Sequence, residues 1–143
     1  MPAEASVTLG FGRAIGTYAI TLVVFFAIDL VWLGMIASNF YKQHIGHLLS
    51  AQVNWGAAIL FYLVFIAGVV IFAVKPALEA QNAMRAVAYG ALFGFVSYAT
   101  YDLTNQATMK DWPVLVTVVD LAWGTVLSAT VAYLSYQASS RLI

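Results

Sequence analysis

The 143-residue sequence contains no cysteine. That excludes disulfides, thiolate metal sites and thiol nucleophiles, and it leaves the redox compartment undetermined. Charge is nearly as scarce: charged side chains make up 8% of the chain, against about 25% in soluble domains. Six basic and six acidic residues cancel, so there is no basic field to draw nucleic acid and no acidic tail of a disordered segment. Several catalytic signatures are also missing. There is no P-loop, no G-x-S-x-G elbow, no H-E-x-x-H, and no lysine inside an apolar run that could hold retinal; Ser97 and Ser128 have no neighbouring base in sequence.

What fills the chain is hydrocarbon. Hydrophobic residues account for 63% of it, far above the roughly 45–50% of soluble proteins, which places it in a bilayer as a single membrane domain over residues 1–143. A spanning helix needs about 20 mostly apolar residues to cross about 30 Å of hydrocarbon. Four stretches meet this, near Ile15–Ile36, Asn54–Val74, Met84–Leu103 and Val114–Tyr136. The fold expected is therefore all-α, with four transmembrane helices. The first run, of about 22 residues, is too long for a signal peptide's apolar core of about 7–15 and reads as a retained span.

Short polar connections predict antiparallel neighbours. Lys75-Pro76 is expected to end the second helix, with Asp111 as N-cap and Pro113 in the first turn of the last. The longer link, Ser38 to Gln52, spaces Phe40, Tyr41, Ile45, Leu48 and Leu49 as an amphipathic helix lying in the interface. Arg13, Lys75, Arg85 and Arg141 fall on the side shared by both termini, against Lys42 and Lys110 opposite, which predicts both termini in the cytoplasm.

Laid across the bilayer, the polar residues collect in the outer half. Asp29 and Asp120 lie roughly 10 Å below the outer surface, at 1.5 Å per residue, and Asp102 close to the outer end of its helix. A charged aspartate at a helix centre costs about 2.5–3.5 kcal/mol on translocon scales. No lysine or arginine lies within a span to pair with these acids. They must be protonated, bind a cation, accept from hydroxyl, indole or amide donors, or face water. Asp29 and Asp120 each head a D-x-x-W element, DLVWLG and DLAWG, in which acid and indole project from one side of a helix one turn apart. Tyr98 lies one turn from Asp102, and Asn105 shares the same end. These residues, Asp29, Trp32, Tyr98, Asp102, Asn105, Asp120 and Trp123, are the candidate site for a ligand or cation. Trp55 and Trp112 read as interface-belt residues. Gly90-x-x-x-Gly94, Gly124-x-x-x-Ser128 and Gly12-x-x-x-Gly16 offer small faces for close helix contact within the bundle.

Several stretches together, DLVWLG, FYKQHIGHLL from Phe40, NWGAAILFY from Asn54, KPAL from Lys75, YGALFGFVSYATYDLTNQAT from Tyr89 and DLAWG, resemble the family of small bacterial membrane proteins designated domain of unknown function 2177. The resemblance runs from about Tyr18 to Tyr133. It implies a four-helix bundle resident in the bacterial inner membrane and carries no catalytic residue across.

Three classes of function stay open. A proton, a cation or an amine-bearing small molecule or lipid head group would occupy the carboxylate cluster of a small transporter or lipid-binding protein, with a homodimer supplying room for a path. A membrane-embedded, metal-dependent lipid-modifying enzyme or its partner would use His44 and His47, joined by Asp29, Asp102 and Asp120, to hold zinc, iron or manganese. A structural or accessory subunit of a larger membrane complex would use the polar cluster to lock helices together.

Overall fold

The computed structural model describes residues 8–143; the first seven residues of the single expected domain lie outside it. Among the described residues the chain is all helical, with no strand. Helices α1 (Phe11–Val31), α2 (Ser38–Ile45), α3 (Trp55–Val69), α4 (Lys75–Glu79), α5 (Ala83–Thr108) and α6 (Val114–Leu142) follow in order. Three helical runs are long and apolar enough to cross a membrane: Phe11–Leu48, Trp55–Glu79 and Val114–Leu142. The fourth long helix, α5, has 26 residues but a more polar composition, with Arg85, Asp102, Asn105 and Gln106 along it.

Three boundaries differ from the sequence expectation. The first helix does not end at Ile36: a π-helical stretch, Trp32–Ala37, carries it directly into α2. The amphipathic segment is thus a continuation of the first helix and not a separate element, because no proline or capping residue stops it and the wider turn absorbs the misfit. Lys75-Pro76 does not end the second helix either. A second π stretch, Val70–Val74, precedes α4, and the helix ends at Glu79. The widening answers the proline ring, which lacks an N–H and crowds the carbonyl one turn back. Asp111 is exposed in a left-handed turn (φ 61°) and caps nothing, while Pro113 itself occupies the N-cap of α6.

Two other helices are capped by asparagine side chains. Asn54 accepts from the Ala57 N–H (3.1 Å) and Asn82 from the Arg85 N–H (3.2 Å). The α4–α5 turn closes with Gln81 N–H on Leu78 O (3.2 Å) and Asn82 N–H on Ala77 O (3.0 Å), a Schellman arrangement with Gln81 at φ 49° where glycine is usual.

Helices α5 and α6 pack antiparallel on their small faces. A Cβ on Gly90 would lie 2.6 Å from the Ser128 carbonyl oxygen and 2.7 Å from Ala132 Cβ, and one on Gly94 would fall on the Gly124 carbonyl. The Gly90 and Gly94 pair therefore serves contact inside the chain. Gly12 differs: nothing lies within 4 Å of its added Cβ. Phe25, Phe65, Ile66, Val69, Leu127 and Val131 form the apolar core between α1, α3 and α6.

Candidate functional site

The two D-x-x-W elements meet. Helices α1 and α6 run antiparallel, with Gly16 beside Ile143 at one end and Trp32 stacked on Trp123 at the other, ring centroids 4.1 Å apart and planes 11° from parallel. A three-residue offset taken in opposite senses sets Asp29 and Asp120 on opposite sides of the indole pair, each displaced about 4.5 Å along its own helix. The acid one turn from each indole thus borders a common space.

That space is a chamber of about 370 Å³ walled by Asp29, Trp32, Tyr41, Tyr62, Tyr98 and Asp120 among others. It lies within the roughly 300–1,000 Å³ range of small-molecule pockets. Asp29 (7% exposed) accepts from the Tyr62 hydroxyl at 3.4 Å. Asp120 (6% exposed) accepts a hydrogen bond from the Tyr41 hydroxyl, and the Trp32 indole lies beside the same hydroxyl. Tyr98 reaches the chamber because position 124 has no side chain: a Cβ there would collide with the Tyr98 ring. The glycine closing DLAWG is what admits the phenol.

Asp102 stands behind Asp120. It is fully buried, no hydroxyl, amide or indole donor reaches its oxygens, and its one side-chain partner is the carboxyl of Asp120. The Trp123 indole N–H is likewise buried without a partner. Two adjoining carboxyl groups in a dry setting repel unless a proton or a cation lies between them. Among the described residues, the acid–base contacts are His47 with Asp111 (3.9 Å) and Lys75 with Glu79 (3.4 Å), and neither touches the three acids.

Of the residues singled out from the sequence, Asp29, Trp32, Tyr98, Asp120 and Trp123 line the chamber. Asp102 backs it, and Asn105 lies beside the Tyr101 hydroxyl outside the lining. His44 and His47 are not brought to the carboxylates. His44 Nδ1 is 2.8 Å from the Phe40 carbonyl, His47 faces Asp111, and no group of three or more His, Cys, Asp or Glu with metal-ligand geometry occurs among the described residues. Trp55 is 67% exposed, as a belt residue would be, but Trp112 is buried and donates to the Thr117 hydroxyl (3.1 Å), packing with Ile45 and Val116.

The sequence reading missed Tyr41, Tyr62 and Tyr101, which supply hydroxyls to this region. The available signal was chemical: a phenol within an apolar run requires a partner for its O–H.

The sequence profile of the family described as "Predicted membrane protein (DUF2177)" matches residues 14–137, and the chain belongs to that family. It is a membrane protein. No curated protein and no solved structure matches the chain.

Proposed function

We propose that this member of the DUF2177 family spans a bacterial inner membrane four times, with both termini in the cytoplasm, and binds a cation in the chamber between Asp29 and Asp120. Support for the fourth span comes from the way α5 is dressed. Its glycines and Asp102 turn to α6, a helix long and apolar enough to cross, while Leu92, Phe95, Val96 and Leu103 are exposed. At 1.5 Å per residue its 26 residues extend about 39 Å, enough to cross with its neighbour.

The observation that carries the functional reading is the lining: two carboxylates from two helices on one shared space, a third acid behind them, and no basic residue in its walls. Anions are repelled by such a chamber. A cation entering it meets charge that is dear to keep uncompensated at this depth, so its binding relieves a cost the fold already bears. The protein is then a small transporter or a lipid-binding protein, with Asp120 as the principal counter-charge and Asp29 and Asp102 completing the field.

Calorimetric titration of the chain in lipid nanodiscs with tetramethylammonium tests this. Wild type is expected to give a saturable single site, Asp120→Asn to weaken it on the order of tenfold or more, and Asp111→Asn, outside the chamber, to leave it unchanged. Equal binding by wild type and Asp120→Asn would overturn the proposal.

A further inference from the structure

The chamber is not sealed toward the lipid. A second cavity of about 370 Å³ shares Phe61, Tyr98, Tyr101 and Asp120 with it and opens between α3 and α5. Phe61, Phe65 and Ser97 are shared in turn with a third cavity of about 490 Å³, and Phe72 and Phe93 with a fourth of about 410 Å³. The four form a chain of spaces along one seam. On α3 it follows Phe61, Phe65 and Gly68, continuing to Phe72 in the π-helical stretch after it; on α5 it follows Tyr101, Ser97, Phe93 and Tyr89. Both sets recur every three or four residues, so each is one face of its helix. The Phe93 ring forms part of the floor, packed at 5.8 Å on Phe72 and 5.3 Å on Phe65, and fits there because Gly68 has no side chain.

From Phe61 to Phe72 the seam runs 11 residues, about 16 Å, close to one leaflet's share of a hydrocarbon core of about 30 Å. One end is apolar and aromatic. The other end is Asp120. A helix of a second protein, about 10–12 Å across, is too wide to follow this path into the chamber, whereas a hydrocarbon chain is not.

From this continuity we propose that the occupant of the site is a membrane amphiphile: an alkylated ammonium head in the chamber and an acyl chain lying in the furrow between α3 and α5, entering sideways from the lipid past Phe61. The inference rests on the cation site proposed above. The head group is of the alkylated kind because the walls favour it. Tyr41, Tyr62, Tyr98, Trp32 and Trp123 present aromatic surface, which attracts cations through the ring quadrupole. Asp29 and Asp120 each already accept from a tyrosine, so a head with charge but no N–H donors gains from the field without needing further hydrogen bonds.

The test uses an alkyltrimethylammonium with a photoactivatable diazirine in its chain, incorporated with the full chain in nanodiscs, and reads the labelled peptides by mass spectrometry. Labelling is expected to concentrate on Phe61–Phe72 and Phe93–Tyr101, to fall about tenfold under excess unlabelled dodecyltrimethylammonium, and to be untouched by dodecyl sulfate. Ser97→Phe, which fills the furrow beside the chamber, is expected to remove the labelling while leaving tetramethylammonium binding in place. Labelling spread evenly around the bundle, or not displaced by excess cation, with tetramethylammonium still bound, would sink the amphiphile and leave the cation site standing. Loss of both signals in folded wild-type protein would overturn both.

Discussion

Replacing Gly90 by alanine adds one methyl group where α5 touches α6, and the consequence can be worked from the geometry. The new Cβ would stand 2.6 Å from the Ser128 carbonyl oxygen and 2.7 Å from Ala132 Cβ. Ordinary contacts between nonbonded carbon atoms are about 3.5–4.0 Å, so the helices must separate by about 1 Å, and one obstacle is backbone that cannot rotate away. Overpacking of this kind costs about 1–3 kcal/mol. Alanine returns up to about 1 kcal/mol of helix propensity, leaving a net loss on the order of 1–2 kcal/mol. Gly12→Ala is the control for steric crowding: in the first turn of α1, with nothing within 4 Å of the added methyl and a smaller propensity gain, it predicts a neutral to slightly stabilising change. Unfolding in mixed micelles with rising SDS, followed by circular dichroism, reads both. Equal stability of wild type and Gly90→Ala, or equal losses at the two positions, would refute the close packing of α5 on α6 and with it the support of Asp102 behind Asp120.

Three further outcomes are expected. Tyr41→Phe removes the donor to Asp120 and should destabilise the protein by about 1–3 kcal/mol in the same assay, whereas Tyr62→Phe, whose bond to Asp29 is 3.4 Å, should cost less. Gln81→Gly relieves a left-handed residue at a Schellman turn and should stabilise by about 1 kcal/mol; a loss would contradict the turn assignment. Trp32→Phe should abolish the near-ultraviolet circular dichroism signature of the stacked indoles, which Trp55→Phe should leave intact.

Much of the architecture was legible because hydropathy and length are properties of single segments. The long runs, the Asn54 start and the α5–α6 glycine faces all follow from local composition. The continuous first helix was not legible, since a π-helical stretch registers only as an extra residue in the turn and the break near Ile36 looked complete by hydropathy. The position of Asp111 misled for a related reason: aspartate suits both an N-cap and a left-handed turn, and only the path of the chain into Pro113 chooses. At the site, carboxylates set in long hydrophobic runs announce themselves by cost, so Asp29, Asp102 and Asp120 could be named. Tyr41 and Tyr62 could not be distinguished from packing phenols, because their hydroxyl partners are 79 and 33 residues away along the chain.

The central claim is that the acids of the two D-x-x-W elements address one bound cation. A double-mutant cycle on tetramethylammonium binding, with Asp29→Asn, Asp120→Asn and the pair together, measures this directly. Shared action predicts that each single change weakens binding and that the double variant is clearly different from the sum of the two losses. Strictly additive losses, or an Asp29→Asn variant that binds as wild type does, would mean the two carboxylates serve separate ends.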